Sequence, residues 1–398
     1  MHDHRVTEIQ DPGPLKCAKK VQAIAIVLIV LGLYSFGHQM RYTPKLAWAS
    51  YLEGFFFALC LSMGGMFFLA VNHLAKSNWS LPVRRVAEAA TSYLPFALLT
   101  LVPILVFYEE LYVWHDPVAA GITGTKAIYL SFKFWALRIC GYLIVWNLFA
   151  AHFRAISARQ DQSKEKLTTT LVSAIYLIVY GFTFCLFAFD VMMSLRPHWF
   201  STMYGVYCFA GSYQSGLCAI ILMTLFLIKK GYFHSGLFKR ERHLFDLGTW
   251  LLAFSTFMCY IGFSQFMLIW YANLPEEITF FIDRFQGHWK CVYIIIFIIK
   301  WVMPFTILMP KPSRRSSVVL AIMCCLIMFA EWLDIFWLVS PEFVNGGGLP
   351  LGHLFYSLLT GLGFLGLFVL VFTNYLKKHS VVAVGEPKLL GSINGDYV

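Results

Sequence analysis

The residues of this sequence best suited to chemistry are ionisable and polar side chains inside, or at the ends of, long apolar stretches. Charged side chains are costly in lipid, and they usually face a bundle interior or a water-filled cavity, where they serve ion or proton pathways. Carboxylates and amines in such places are typical of proton relays. The candidate set is Glu53, Lys133, Arg138, Asp190, His198, Gln265, Lys300, Glu331 and Asp334.

The composition requires that membrane-spanning elements position these residues. Of the 398 residues, 59% are hydrophobic and only 13% are charged, whereas soluble domains are about a quarter charged. Phe occurs 38 times against 21 Asp and Glu, which no water-soluble surface could accommodate. These proportions exclude a soluble enzyme, a disordered chain, a disulfide scaffold and a nucleic-acid-binding protein.

The apolar runs have the length of membrane-spanning helices. A helix needs about 20 mostly apolar residues to cross the hydrocarbon core, and the runs are continuous rather than alternating as in a barrel wall. We expect an all-α polytopic protein with one transmembrane domain, 21–376, between unstructured tails, 1–20 and 377–398. Its ten spans are predicted at 21–37, 48–73, 92–108, 127–151, 167–193, 203–228, 245–271, 289–309, 318–339 and 353–376.

The basic residues predict the orientation of these spans. The segments on the side of the two termini hold 22 Lys and Arg, and the opposite loops hold 5. Because Lys and Arg accumulate on the cytoplasmic side, both termini are predicted to be cytoplasmic. The spans themselves are expected to lie in contact with the lipid bilayer.

The ionisable residues are predicted to lie in one half of the membrane. At 1.5 Å per residue, Arg138 and Lys300 lie near the midplane, ~16 Å from the outer ends of their spans. The carboxylates lie nearer the outer ends, and Glu331 and Asp334 share a helix face because they are three residues apart. One interpretation is structural ion pairing of the two bases with Asp190 or Glu331. The favoured one is a hydrated cavity or proton half-channel that opens outward, because a single pair would not need so many carboxylates.

A short internal repeat in the sequence predicts the arrangement of the spans. Arg138 in span four is followed by Asp190 in span five, and Lys300 in span eight is followed by Asp334 in span nine. Each aspartate precedes a proline by seven residues. A parallel repeat about an axis along the membrane normal has this pattern. It places spans one and ten at the periphery of two parallel-related four-helix bundles, 48–193 and 203–339.

The cysteines and histidines indicate that this chain carries no redox centre. Nine of the ten cysteines lie in apolar spans, no Cys-x-x-Cys occurs, and none of the twelve histidines lies near a predicted midplane. Iron–sulfur clusters need converging thiolates, and haem in a membrane cytochrome needs deep histidines. We therefore expect no cofactor and no metal in this chain, and any redox centres would belong to partner proteins.

Two polar and aromatic motifs lie at outer ends of helices. The first reads Ser-Leu-Arg-Pro-His-Trp-Phe-Ser-Thr at 194–202, and the second reads Ser-Gln-Phe-Met-Leu-Ile-Trp-Tyr-Ala-Asn-Leu-Pro-Glu-Glu at 264–277. An interfacial aromatic belt explains their Trp and Tyr residues, but it does not explain the acidic and amide residues. In these motifs and in its ten spans the chain resembles the ActF-type integral membrane subunit of bacterial alternative complex III, a quinol:cytochrome c oxidoreductase, within the polysulfide-reductase-type membrane anchors.

The resemblance implies a function and a set of partners. The chain would be a membrane subunit of a quinol-oxidising respiratory complex, with quinol as the substrate of the complex. A related membrane subunit, an iron–sulfur protein and c-type cytochromes would be its partners, with a terminal oxidase as a further one. Haem c and iron–sulfur clusters would lie in those partners. The partner-facing outer residues would be Ser194, Pro197, Trp199, Trp270, Tyr271, Asn273, Glu276 and Glu277.

Two other functions stay open at this point. One is a secondary transporter whose substrate or coupling ion binds among Arg138, Lys300 and Asp334. Prolines within spans three and eight are the closest that the sequence comes to the broken helices of transporters. The other is a purely structural membrane anchor whose buried charges only hold helices together.

The predicted orientation has a direct test. A reporter that is active only outside the cytoplasm should be silent when it is fused after Val398 and active in the loop around Asp116, because the basic residues keep the terminal side inside. Reporter activity in intact cells measures this. The reverse pattern would contradict the predicted topology.

Overall fold

The computed structural model describes residues 10–16, 18–163, 169–233, 237–238, 240–344 and 348–394. Residues 1–9 and 17 of the predicted first tail, and 395–398 of the second, lie outside this part. Within it no strand occurs, and ten helices are long and apolar enough to cross a membrane, which confirms the all-α, ten-span prediction. They are α1 Lys19–Tyr42, α2 Pro44–Leu74, α3 Leu81–Val106, α4 Phe132–Ser163, α5 Thr170–Leu195, α6 Met203–Lys229, α7 Glu241–Ala272, α8 Trp289–Leu308, α9 Ser317–Glu342 and α10 Leu351–Lys378.

Several spans differ from their predicted bounds because polar contacts extend or interrupt them. Helix α3 begins eleven residues earlier than predicted, since Arg84 and Arg85 are neutralised by Glu88 within its first turns. Helix α4 begins five residues later than predicted. The segment before it forms a separate short helix, Gly124–Tyr129. Other short helices are Tyr108–Leu111, Pro275–Arg284, Lys311–Arg315 and Leu389–Asn394.

Helices α2 and α6 form the centre of the molecule. Their apolar windows are 89% and 72% buried inside the protein, against 17% for α1. They pass each other closely at Gly64, where an added Cβ would lie 2.8 Å from the Gly216 Cα. This contact requires small residues on both helices. The two predicted bundles therefore meet along their first helices, an arrangement that fits a parallel repeat.

Helices α1 and α10 flank this centre. They pack along each other over much of their length, and α10 also packs on α2. Helix α1 otherwise presents apolar side chains outward, with Leu33 and Tyr34 about two-thirds exposed. Such a surface suits lipid rather than water. The first and last spans are thus peripheral, as predicted.

The prediction that both tails are unstructured is wrong for their described residues. Pro14 and Ser380 form an antiparallel bridge, so the described parts of the two tails meet on one side of the helices, which we call the terminal face. Val381 and Val382 are fully buried, and the described part of the C-terminal tail includes the helix Leu389–Asn394. The prediction failed because the tails are polar on average, whereas a few apolar residues within them are buried together.

The packing of the C-terminal segment predicts a measurable stability effect. Leu389→Ala should lower the thermal midpoint of the purified protein in detergent, because removing a fully buried leucine side chain costs about 2–5 kcal/mol. Leu351→Ala is the matched control, since that leucine is 71% exposed. Equal midpoints for the two variants would show that the C-terminal segment does not contribute to the fold.

Candidate functional site

Four side chains from three helices form a buried polar cluster, which we call the Lys300 cluster. The Lys300 Nζ donates to Glu331 Oε2 at 2.6 Å and to Asp334 Oδ2 at 2.7 Å. The Tyr207 hydroxyl lies 2.7 and 2.8 Å from the two Asp334 carboxylate oxygens. Lys300, Glu331 and Asp334 are each no more than 3% exposed. Helices α6, α8 and α9 are therefore joined by one ion-paired and hydrogen-bonded group.

The backbone of α8 is irregular at the lysine. Residues Ile298–Val302 form a π-helical turn between two α-helical segments, and such turns are frequent at functional sites. The Gln214 Nε2 of α6 donates to the Lys300 carbonyl oxygen at 2.9 Å and to the Ser255 Oγ of α7 at 2.8 Å. Pro304, four residues after Lys300, has no N–H to donate to this carbonyl oxygen. The Gln214 amide supplies the donor from a neighbouring helix, as the membrane interior requires.

Helix α6 is shaped to hold the cluster. Tyr207, Gly211 and Gln214 follow one another at intervals of four and three residues, which places them on one helix face. A Cβ on Gly211 would lie 2.7 Å from the Glu331 carboxylate oxygens. Glycine at this position therefore makes room for the acid.

The predicted hydrated cavity is much smaller than expected. A cavity of about 30 Å³ touches Lys300, Tyr207 and Tyr293. A second one of about 10 Å³ lies between Tyr207, Tyr293 and Gln265. Such spaces hold about one or two waters. In this structure the cluster is packed against aromatic rings instead of lying at the floor of an open channel.

A second polar group surrounds Glu53 and contains no lysine or arginine. The Ser340 Oγ donates to Glu53 Oε1 at 2.6 Å, and Ser357 donates to Oε2. His353 Nε2 lies 2.8 Å from the Ser340 Oγ, and Gln39 Nε2 lies 3.1 Å from His353 Nδ1. With the Gln39 amide donating to Nδ1, the imidazole Nε2–H donates to the serine. A hydrogen-bonded chain thus links α1, α10, α9 and α2 to a fully buried carboxyl group.

Arg138 and Asp190 form a third, separate group. The guanidinium donates from Nε and Nη2 to the two carboxylate oxygens at 3.0 and 2.8 Å, and from Nη1 to the Tyr129 carbonyl at 2.9 Å. Burial and the Asp190 charge raise the pKa of Tyr129 to about 12, so this phenol stays neutral. The structural ion-pair interpretation is therefore correct for these two residues.

Two predictions about α4 are wrong. Arg138 lies six residues into the helix, only ~9 Å from its outer end rather than near the midplane. Lys133 is exposed in the first turn and forms no ion pair with any described residue. The prediction failed because 127–151 reads as one apolar run, whereas the helix breaks after Tyr129.

The two bundles use equivalent pairings with different stoichiometry. In each, a cation on the third helix pairs with an aspartate near the end of the fourth, as Arg138 does with Asp190 and Lys300 with Asp334. The second pairing additionally holds Glu331. The predicted repeat therefore corresponds to similar ion pairs between the third and fourth helices of the two bundles. The extra carboxylate distinguishes the Lys300 cluster.

The two outer motifs meet in space and hold loops together. The Trp199 Nε1 donates to the Glu277 carbonyl oxygen at 2.9 Å, and its ring stacks on Phe280 with centroids 4.0 Å apart. The Gln265 Nε2 donates to the Ser201 Oγ at 3.2 Å. His198 is exposed and contacts a loop carbonyl, that of Ala120, at 2.7 Å. His198 and Gln265 are thus outside the Lys300 cluster and join loops and helix ends.

The remaining motif residues divide into buried and exposed sets. Ser194 and Pro197 are buried, and the Ser194 Oγ donates to the Asp190 carbonyl. Trp270 and Tyr271 are 62% and 84% exposed. Asn273 has φ +49°, a left-handed conformation that asparagine tolerates at helix ends. Glu276 is exposed and Glu277 is half-buried in the first turn of Pro275–Arg284, where the helix dipole favours acids.

Sequence reasoning missed the neutral partners of the charged residues. Tyr207, Gln214, Ser340 and Ser357 each contact an ionisable residue or its backbone, and His353 contacts Ser340. Two sequence features could have pointed to these partners: the helical spacing of polar residues on α6, and the Ser340-Pro pair after Asp334. Neither signal identifies a contact, because each partner lies on a different helix.

Comparisons with known proteins add no assignment to this geometry. No protein-family model matches the chain, and no curated protein matches it. Among the residues that the structure describes, no group of three or more His, Cys, Asp or Glu side chains could hold a metal ion. The function therefore has to be argued from the three polar groups.

The Arg138–Asp190 pair is expected to stabilise the fold. Arg138→Gln should lower the thermal midpoint and the yield in membranes, because breaking a buried pair costs about 3–5 kcal/mol. Adding Asp190→Asn should recover most of the loss, since no charge is then left unpaired. Lys133→Gln on the same helix is the control and should have no effect. A double variant as unstable as the single one would contradict a simple pair.

Proposed function

We propose that this chain moves protons through the half of the membrane away from the terminal face, as a subunit of a quinol-oxidising respiratory complex. The observation that carries the proposal is the Lys300 cluster, in which two carboxylates share one lysine at mid-span. Lys300 follows the start of α8 by eleven residues, ~16 Å along the helix.

The charge balance of the cluster suits proton binding. With both carboxylates ionised the cluster carries one net negative charge, and one added proton makes it neutral. Burial of net charge is costly, so the apolar surroundings favour uptake of that proton. A purely structural pair would need one carboxylate, as Arg138 and Asp190 show. The surplus acid is what a relay requires.

The Glu53 group lies between the cluster and the face opposite the termini. Ser340 follows Asp334 by six residues on α9, ~9 Å along the helix axis. His353 is the third residue of α10, close to that opposite face. Carboxyl, hydroxyl and imidazole groups in one hydrogen-bonded chain can pass a proton from donor to acceptor. The small cavities beside Tyr207 offer room for bridging waters.

The resemblance implies the proposed setting in a bacterial inner membrane, and the surface and the charge distribution support it. The 22 to 5 division of basic residues supports cytoplasmic termini in a bacterial inner membrane. Partners carrying iron–sulfur clusters and haem c would then sit on the opposite face, beside a related membrane subunit. The exposed Trp270 and Tyr271 and the acidic turn after them supply a surface for such contacts. Quinol would be the substrate of the assembled complex.

The π-helical turn supports a second candidate, a secondary transporter. Irregular helices near the midplane line the substrate sites of many transporters, and Lys300 lies inside such a turn. A transporter would work as a chain without redox partners and would accumulate a solute in proteoliposomes under an ion gradient. The two functions therefore differ in what they require besides this chain.

Conservative substitution of the carboxylates separates proton transfer from structural pairing. Glu331→Gln and Asp334→Asn keep size and hydrogen bonding but cannot carry a proton. Each should reduce quinol oxidation and proton release by about 10²-fold or more, typical of a lost acid–base group, while the complex still assembles. Complex yield and turnover are measured in the same membranes.

The control and the contrary outcomes are specific. Glu110→Gln, at an exposed position in the short helix Tyr108–Leu111, should leave both quantities unchanged. Full assembly with unchanged turnover and proton release in both carboxylate variants would refute the relay. Lost assembly that Lys300→Met restores would show that the cluster is a structural ion pair.

Purification in mild detergent tests the partners. Haem c and iron–sulfur absorbance in stoichiometric amounts should accompany the tagged full-length chain from its native membranes. The isolated chain, expressed without its partners, should contain no stoichiometric iron. A colourless preparation from native membranes that transports a solute after reconstitution would favour the transporter.

A further inference from the structure

A polar cavity of about 150 Å³ lies on the terminal face, at the opposite end of the spans from the Glu53 group. It is bounded by the end of α2, the starts of α3 and α5 and the folded C-terminal segment. Its polar lining includes His73, Lys76, Asn78, Arg84, Thr169 and Lys388. The proposed proton transfer uses none of these residues.

The cavity has an excess of positive charge. Arg84 is held by Glu88 at 3.2 Å and by Glu386 at 2.7 Å, so the one acidic residue in the lining already has a cation. Lys76 and Lys388 form no ion pair with any residue in the described part of the chain. Two lysines therefore line the cavity without an ion-pair partner in the described part of the chain.

A helix N-terminus adds to this potential. Helix α5 begins at Thr170, and Thr169 and Thr170 both line the cavity. The N-cap residue Thr169 makes no side-chain capping hydrogen bond to this 22-residue α-helical segment. Backbone N–H groups at a helix N-terminus and the helix dipole together favour a bound anion.

The backbone holds Lys76 in an unfavourable conformation. Its φ is +51°, in the left-handed region, at the end of α2 where glycine or asparagine is the usual residue. A lysine here carries a conformational cost. His73, one turn earlier, lines the same cavity and has no hydrogen-bond partner on either ring nitrogen within the described residues. A buried polar side chain without a partner is one that a polar ligand in the cavity would satisfy.

We propose that this cavity binds an anionic phosphate group, carried by a phospholipid headgroup or by a soluble phosphate. Lysine ammonium groups and helix N–H groups are strong donors to phosphate oxygens. The volume accommodates a phosphate with part of an attached glycerol. Basic pockets between spans at the level of the headgroups are known to bind anionic lipids.

Thermal unfolding of the full-length protein in detergent tests this site. The probes are dioleoyl phosphatidylglycerol, dioleoyl phosphatidylcholine and inorganic phosphate, each titrated separately. The phosphatidylglycerol should raise the thermal midpoint at concentrations where phosphatidylcholine does not. If the natural source is soluble, inorganic phosphate alone should give the larger rise.

Matched variants make the result specific. Lys76→Asn keeps a residue that tolerates the left-handed conformation, and with Lys388→Gln it should raise the half-effective concentration roughly thirtyfold, about fivefold per lysine. Lys311→Gln with Lys378→Gln removes the same charge from the same face outside the cavity and should change it little. Lys388→Arg keeps the charge and should retain binding even if the double variant fails to fold.

The contrary outcomes are equally defined. Equal responses of the cavity and control double variants would overturn the proposal, because the effect would then be general surface charge. So would equal stabilisation by both lipids together with no response to phosphate. Neither result bears on the Glu331 and Asp334 experiment, so the two proposals fail separately.

Discussion

The rest of the structure depends on the attachment of one lysine to two carboxylates in the middle of the membrane. Desolvation of an ion costs several kcal/mol, and an ion pair offsets this only when its geometry is good and its other lone pairs and protons are satisfied. At Lys300 the contacts of 2.6 and 2.7 Å meet the first requirement. The Tyr207 hydroxyl on Asp334 contributes to the second. Three helices must therefore keep their relative positions for the group to exist.

The neighbouring helices are shaped around this requirement. Gln214 donates a hydrogen bond to the carbonyl oxygen of Lys300 in the π-helical turn, and Gly211 leaves room for Glu331. The close crossing of α2 and α6 at Gly64 holds the two bundles together beside the cluster. The Arg138–Asp190 pair joins the corresponding helices of the first bundle with balanced charge. In the proposed function, the surplus carboxylate is what lets the Lys300 cluster bind a proton.

The two faces of the molecule carry different polar groups. Away from the termini, acidic, hydroxyl and imidazole groups form a hydrogen-bonded chain around Glu53. At the terminal face, lysines and a helix N-terminus surround a polar cavity that the folded C-terminal segment completes. Glu386 in that segment binds Arg84 at the start of α3. The tail is thus part of the terminal face and closes it.

The sequence by itself determined the ten helices and the identity of the unusual charges, because both are local properties. Apolar length decides whether a segment can span a membrane, and an ionisable residue in such a segment stands out without knowledge of its neighbours. Lys300, Glu331, Asp334, Glu53 and the Arg138–Asp190 relation were all visible in this way. The predicted span boundaries were wrong in two places. The helix breaks before Phe132, and ion pairing of Arg84 lets α3 begin earlier than predicted.

Only the tertiary structure decided which polar groups meet. Tyr207, Gln214 and His353 are unremarkable in sequence, and they become functional candidates because helices distant in the chain bring them to Asp334, to the Lys300 backbone and to Ser340. The expected single polar set divides into three groups for the same reason. The same holds for the buried C-terminal tail. Val381 and Val382 are two apolar residues in a polar stretch, and only the pairing of Gly13 and Pro14 with this segment shows that it is folded. Contacts between distant segments depend on packing, which no local pattern encodes.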